Sequence, residues 1–535
     1  MNRHDKIVTL IAATVCLGLT MSRIGVPVLL DNAFIVDTLF VGNLGWRGVN
    51  GLRPVIDYPH HYGGGFTAIV VFAFKLFGAN IKSIDYAYVL LFFFVIVFGL
   101  LVATRRISVA NTSLLLVLTA SLILAPNCIE DGFTYYFTHS FAYNHVAVSL
   151  MMFLTIFVST KSRLTTLQEI FVCLVSGGVL FFLILLKTPF AVFAVFFFVG
   201  CVVNRGLEVT FFCAVGFAAA TVVFDPGFAR TTGSLGPLFL DDIVGDAGGV
   251  RGRALHSVFV FLAAVPIIIV CVSKSWAIWK LEHFDSAKFF FALSACFIGF
   301  FVSILFMNGL PYLKLIPILV VILILQSDRL RSWGASKNHD SNMVALILAA
   351  IIVIPGTVMS ARSVRISLQL RDYSLIESGP YEKYLMPYIQ PSKSDTVSFE
   401  ERLAQATKAV ADRKQAGIEM RGSDGYVIFA DGIHLLRTVR NIENYRIVTT
   451  DGGSDFSFAM EAPIVTSFPV WQLPESVQSL DFDEVEIVME GFWPLMGSTF
   501  SDEMMKILES QFIPCRSSEF FRMHVRVELH PELCD

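Results

Sequence analysis

Apolar runs of roughly 16–22 residues follow one another through the first 360 positions of this 535-residue chain, and a helix needs about 20 such residues to cross a bilayer. In hydrocarbon every backbone polar group must be satisfied within its own segment, so runs of this length dictate a body of membrane helices before any motif is read. About eleven are present, at 7–30, 85–104, 107–126, 143–160, 167–186, 189–203, 207–224, 255–274, 287–307, 311–326 and 341–360. Arg3 and Lys6 precede the first run as they would in a signal peptide. No small-x-small cleavage site follows, however, and Arg23 interrupts the run, so an uncleaved first span fits better.

Charge divides the chain in the same place. Residues 1–360 carry 23 basic and 17 acidic side chains, a net of +6; residues 361–535 carry 17 and 27, a net of −10. A mildly basic membrane body followed by an acidic soluble part excludes a single soluble enzyme, a disordered chain and a nucleic-acid binder. Lys and Arg in the short loops orient the spans. With the N-terminus in the cytoplasm, the inner segments hold Arg3, Lys6, Arg105, Arg106, Lys161, Arg163, Arg205, Lys274, Lys280, Lys288, Arg329, Arg331 and Lys337. An odd number of spans then carries the C-terminal part outside, into the periplasm of a Gram-negative cell. The expected fold is a polytopic α-helical membrane protein over 1–360, with outer loops 31–66, 127–142 and 225–254, followed by an extracytoplasmic soluble α/β domain over 361–535.

Within that domain the pattern predicts helices over 398–417 and near 501–510, and strands over 426–430 and near 445–449, 485–490 and 522–529. Asp431 follows the first of these strands. It reads as a helix N-cap, or as a ligand group at a strand's carboxyl end. No phosphate-binding or nucleophile-elbow motif stands in a supporting context, so the domain is assigned no chemistry of its own. Cys16, Cys173, Cys201, Cys213, Cys271 and Cys296 fall in predicted spans, where they behave as small apolar residues. Cys515 and Cys534 form the pair expected to bridge in an oxidising compartment.

The remaining charges of the membrane body gather in the outer loops. Acids are Asp31, Asp37, Asp57, Glu130, Asp131, Asp225, Asp241, Asp242 and Asp246; bases include Arg47, Arg53, Arg230, Arg251 and Arg253. Solvated loops tolerate any charge, which is one account of them. The other is a cavity that binds a phosphate through guanidinium forks and takes a proton with a carboxylate.

The first loop carries a more specific pattern: Asp31-Asn32 just after the first run, Gly51-Leu52-Arg53-Pro54 through Asp57-Tyr58, then Gly63-Gly64-Gly65, then an apolar segment ending Leu76-Phe77-Gly78. This resembles the first outer loop of the integral-membrane GT-C glycosyltransferases that use a polyprenyl-phosphate-linked sugar, among them protein mannosyltransferases and lipid A aminoarabinose transferases. Tyr143-Asn144-His145, Lys187-Thr188-Pro189 and Asp455-Phe456-Ser457-Phe458-Ala459 resemble further segments of that class in the same order. Two positions depart from it. The acidic pair is Asp-Asn here, and His60, His61 and the glycine run replace a K-P-P-L-like turn.

The resemblance implies a GT-C-like fold and inverting transfer of a sugar from a polyprenyl-phosphate donor to a lipid, glycan or protein acceptor at the outer face of the bacterial inner membrane. It makes Asp31 the general base, with Asp37 as second choice, and Asp31 is otherwise an ordinary helix-end aspartate. Cations for the donor phosphate are Arg53, Lys187, Arg230, Arg251 and Arg253; snorkelling to lipid headgroups is the alternative for Lys187 and for the Arg251, Arg253 pair. Lys187 has little loop to escape into, and charge at such depth usually faces a protein interior or a wet cavity. Asp57, His60, His61, Tyr143, Asn144 and His145 are placed on the acceptor side, where Asp57 also suits turn chemistry. Glu130 and Asp131 join them, or serve a divalent metal; no His or Cys set at zinc spacing accompanies His60 and His61. Other readings are a transporter or flippase of lipid-linked glycans, a non-catalytic partner in envelope polysaccharide assembly, and a transferase acting on diphosphate-linked glycans. The first of these usually shows internal repeats and broken mid-membrane helices, which the sequence does not display.

Overall fold

A computed structural model describes residues 3–25, 28–29, 35–54, 57, 64–125, 139–161, 165–187, 190–225, scattered helical positions between 265 and 280, 287–303, 311–332, 339–370, 375–382, 384–385, 398–417, 422–450, 456–465, 482–492, 502–529 and 533–534. Among the described residues five helices are long and apolar enough to cross a membrane: Asp5–Gly25, Ile81–Ala103, Thr166–Leu186, Leu207–Phe224 and Asn342–Arg365. Shorter apolar helices stand at Gly65–Phe77, Val109–Leu124, Tyr143–Ser159, Ala191–Asn204, Ala287–Ser303 and Leu315–Asp328. Most of the expected runs therefore form helices, several of them shorter than a full span; the run 255–274 lies largely outside the described residues. Apolar side chains point outward along these helices, as at Leu17 (62% exposed), Val97 (65%), Phe211 (63%) and Val222 (69%). Apolar surface of this extent is costly in water and suits contact with lipid.

The segment 31–66 holds a helix, α2 (Ile35–Val49), and runs into the start of α3 (Gly65–Phe77). With α1 (Arg3–Gly25), β1 (Val28–Leu29), α4 (Ile81–Ala103), α5 (Val109–Leu124), α6 (His139–Ser159), α7 (Thr166–Leu186), α8 (Ala191–Asn204) and α9 (Leu207–Phe224), these form the first part of the helical body. Among the described residues three further apolar helices follow: α10 (Ala287–Ser303), α11 (Pro311–Ser332) and α12 (His339–Leu370).

Small residues set a close helix contact between α7 and α9. A Cβ on Gly177 of α7 would stand 1.9 Å from the Cys213 carbonyl oxygen of α9, and one on Gly216 of α9 would stand 2.1 Å from the Leu174 carbonyl oxygen. Reciprocal glycines of this kind let two membrane helices approach backbone to backbone, where packing rather than water supplies the attraction. Gly177→Val is expected to force the pair apart and cost about 1–3 kcal/mol or more. Cys173 and Cys213 are buried at this interface, so maleimide labelling of the two thiols during heating checks it: the variant should label at a lower temperature than the parent.

One end of the bundle is locked by a buried ionic knot. Arg106, between α4 and α5, donates to both carboxylate oxygens of Glu169 (2.9 and 2.8 Å). Arg205, after α8, bonds the same carboxylate. Both guanidiniums lie 5.1 Å from the Phe157 ring. Asp328 accepts from Ser108 N and Asn111 Nδ2, each at 3.0 Å, and so ties α11 to the start of α5.

The C-terminal part holds β2 (Tyr384–Leu385), α13 (Phe399–Gln415), α14 (Gly422–Arg437), β3 (Ile447–Thr449), β4 (Ile487–Gly491), α15 (Asp502–Gln511), β5 (Phe512–Ser517) and β6 (Phe521–Arg526). Four strands form a mixed sheet in the order β3-β4-β6-β5, with β3 parallel to β4 and the other pairs antiparallel. A capping box of Ser398 and Glu401 starts α13. Cys515 and Cys534 are joined, their Cα atoms 5.3 Å apart.

The run Tyr426-Val427-Ile428-Phe429-Ala430, expected as a strand, lies inside α14. Each of these five side chains is buried, so the run lacks the one-faced periodicity that separates helix from strand. Asp431 is consequently neither a cap nor a strand-end group. It projects from mid-helix to the β5–β6 turn, where Oδ2 accepts from Ser518 Oγ (2.5 Å) and Phe520 N (3.2 Å). Burial pushes this carboxyl above its ordinary range, against the pull of those two hydrogen bonds. A raised folded-state pKa stabilises the fold fully below the unfolded value and loses that contribution as pH rises through the folded one. Asp431→Asn should therefore gain stability relative to the parent as pH climbs from about 4 to 7, read as a melting-temperature difference that grows with pH.

Candidate functional site

At the end where α1 finishes, three charged side chains meet in the interior. Arg23, in the last turn of α1, lies 2.5 Å from Asp85 of α4, and Lys82 lies 3.0 Å from the other oxygen of the same carboxylate. Lys82 Nζ also donates to the Arg23 carbonyl at 2.8 Å. Their side chains are 12%, 5% and 11% exposed for Arg23, Asp85 and Lys82. Such burial costs several kcal/mol per ion unless geometry repays it, and charges at a membrane-helix end that face inward usually mark a site of binding or transfer.

An aromatic path leads away from the trio. The Arg23 guanidinium lies 5.8 Å from the Tyr88 ring centroid, Tyr88 lies 5.2 Å from Phe66, and Phe66 lies 6.0 Å from Tyr143. Tyr143, Asn144 and His145 are all buried in the first turns of α6. Phe66 belongs to the first turn of α3, which is pressed onto the end of α7: a Cβ on Gly65 would come 3.0 Å from Leu185 backbone. Lys187, two residues beyond, closes α7 through its own N–H to the Leu183 carbonyl and is itself buried. The sequence-derived residues Tyr143, Asn144, His145 and Lys187 are thus drawn to the same end of the bundle as the trio.

Arg53 and Asp57 were assigned to different substrates, yet the structure pairs them. Arg53 Nε and Nη2 donate to Asp57 Oδ2 and Oδ1 at 3.0 and 3.2 Å, and Arg53 N donates to Oδ2 at 2.7 Å. This carboxylate holds the exposed Arg53 guanidinium above its ordinary range. The fork closes a turn, as Asp57 in turn chemistry suggests. Asp37 stands in α2. Asp31, His60, His61, Glu130, Asp131, Arg230, Arg251 and Arg253 lie outside the described residues. Among the described residues no three His, Cys, Asp or Glu side chains converge as a metal cluster.

The C-terminal part touches the same region. Trp46 Nε1 of α2 donates to the Ala462 carbonyl (3.0 Å), Asn43 Oδ1 accepts from Phe458 N (3.1 Å), and Phe74 of α3 stacks on Phe458 at 5.3 Å. Phe456-Ser457-Phe458-Ala459, the described part of the segment singled out in the sequence, is buried there. The arrangement brings two fixed cations, a carboxylate and a line of aromatic rings together in one interior.

No protein-family model matches the chain, and no curated protein matches it. Among solved structures, ArnT from Cupriavidus metallidurans in the apo state aligns over 97% of this chain and 97% of its own, at 11% identity and a TM-score of 0.49. The same protein bound to undecaprenyl phosphate aligns over 97% and 98%, with the same identity and score. Both alignments run through nearly the whole of each chain.

Proposed function

We propose that the protein is a membrane glycosyltransferase that moves a sugar from a polyprenyl-phosphate donor to a lipid, glycan or protein acceptor at the outer face of the bacterial inner membrane. The observation that carries this reading is the buried Arg23–Asp85–Lys82 cluster, which stands where the first-loop pattern leaves α1. A polyprenyl phosphate brings an anion attached to a chain that stays in lipid, and a charged interior at a helix end suits that combination. The Cys515–Cys534 bridge supports a C-terminal part facing an oxidising compartment, and the basic inner loops with an odd number of spans then put the N-terminus in the cytoplasm.

In this reading the acceptor hydroxyl attacks the anomeric carbon directly and inverts it. The bond from that carbon to the phosphate oxygen breaks, the electron pair leaves with the polyprenyl phosphate, and Asp31 takes the hydroxyl proton. Asp37 is the second choice of base. Lys187 and Arg23, with Arg230, Arg251 and Arg253, supply positive charge where the leaving phosphate gains negative charge; fixed cations stabilise it more than water does. Arg53 serves the turn through Asp57 and leaves the phosphate to the others. Tyr143, Asn144 and His145, together with His60, His61, Glu130 and Asp131, face the acceptor.

The test is the full-length protein in lipid nanodiscs with a panel of radiolabelled hexosyl and pentosyl polyprenyl phosphates and an envelope lipid extract. The expected result is label moved to an acceptor with release of polyprenyl phosphate. Absence of transfer across the panel, with vesicle assays showing movement of intact lipid-linked glycan between leaflets, would replace this reading with transport.

A further inference from the structure

Lys82 does more than balance charge. Its Nζ donates to the carbonyl of Arg23 at 2.8 Å, in the last turn of α1, where carbonyls have no partner four residues on. A cation is also favoured at that end of a helix dipole. Lys82 thereby fastens the first turn of α4 to the place where α1 stops. Three residues past Gly25, the chain is held again: the backbone of Val28–Leu29 pairs in parallel with that of Tyr384–Leu385.

The second holding point is itself anchored. In the strap 375–382, the Pro380 carbonyl accepts from Ile81 N at 2.9 Å, one residue before Lys82. The Ser378 carbonyl accepts from Arg437 Nη2 of α14 at 2.6 Å. Tyr381 is fully buried, 5.2 Å from Phe429 and 5.3 Å from Phe458. The start of α4 thus touches the exit of α1 through Lys82 and the C-terminal strap through Ile81, and the strap leads into the strand that pairs with β1.

We infer that Lys82 is a positioning residue of the site: with the Tyr384–Leu385 strand it fixes how the chain leaves α1 and enters the first loop. The inference rests on the transferase reading above. It gives the C-terminal part a task in the reaction that needs no chemistry of its own.

Lys82→Met in the full-length protein tests it, because the variant keeps the Arg23–Asp85 pair and so a balanced interior. Misplacement of a reacting group by about 1 Å costs on the order of 10²-fold. The expected result is a fall in kcat of about ten- to a hundredfold with the donor KM within about twofold, restored in large part by Lys82→Arg. Amide exchange over residues 24–29 should accelerate in Lys82→Met. Arg437→Ala, which releases the strap from outside the bundle, should accelerate exchange at 28–29 and 384–385 and lower kcat in the same manner. A raised donor KM with kcat unchanged would make Lys82 a direct donor ligand and overturn the inference, as would unaltered exchange in both variants. If the parent protein transfers no sugar, the transferase reading fails by itself, and the exchange measurements still decide whether Lys82 and the strap hold the exit of α1.

Discussion

Asp31→Asn is expected to leave the protein inserted and folded while sugar transfer falls about 10²–10⁴-fold, the usual contribution of a positioned general base. Asparagine matches aspartate in size and still accepts a hydrogen bond, so it can hold an acceptor hydroxyl in place. What it cannot do is take the proton as the oxygen attacks. The loss should therefore appear in kcat, with the donor KM little altered, because the missing interaction exists only in the transition state. The residual rate should climb with pH, as hydroxide replaces the absent base. Asp37→Asn in the same loop serves as the comparison and should lose much less. The measurement is initial-rate transfer from a radiolabelled polyprenyl-phosphate sugar in nanodiscs, normalised to folded protein. Parent-like activity in Asp31→Asn would remove the base assignment and leave Asp37 as the carboxylate to examine.

The membrane helices were legible because length and apolarity alone specify them. Ile81–Ala103, Thr166–Leu186 and Leu207–Phe224 lie within four residues of the runs at 85–104, 167–186 and 207–224. Composition alone does not announce α2, because its sequence mixes Asp37, Asn43, Arg47 and four glycine or alcohol positions into a helix that is largely buried between α3 and Phe458. The helix over 426–430 escaped for the opposite reason: burial on all sides erased the period that would have distinguished it from a strand. In the C-terminal sheet β3, β4 and β6 were anticipated to within a few residues, since their β-rich runs are short and bounded by turns.

The candidate site was legible only in part. Tyr143, Asn144, His145 and Lys187 were singled out from order along the chain, and the fold draws them to one end. Arg23, Lys82 and Asp85 were passed over, with Arg23 noted only as a break in the first run. Their partnership spans 59 to 62 positions, and nothing local announces it. A signal did exist: a cation at the end of one apolar run and an opposite pair, Lys82 and Asp85, three residues apart at the start of a later one. Ionisable residues are expensive in that setting, so finding them at facing helix ends is reason to pair them before any motif is consulted.

Asp85→Leu should be the most destabilising single change at this end of the bundle. The carboxylate faces two cations, with Arg23 at 2.5 Å and Lys82 at 3.0 Å, and its side chain is 5% exposed. Taking away one partner of a buried pair leaves charge stranded in a medium that solvates it poorly, at a cost of about 3–5 kcal/mol. Thermal unfolding in detergent, followed by labelling of Cys173 and Cys213, should show the loss directly. Replacing the whole trio by Arg23→Met, Lys82→Met and Asp85→Leu should recover most of that stability, because apolar side chains of similar volume commonly equal or exceed a buried ionic group. The triple variant should nevertheless transfer no sugar, since it lacks both the Arg23 guanidinium offered to the phosphate and the Lys82 clasp on the end of α1. Recovered stability without recovered activity would mean that the cluster is kept for what it binds and positions; a triple variant as active as the parent would reduce it to a packing arrangement and take the transferase reading's principal support with it.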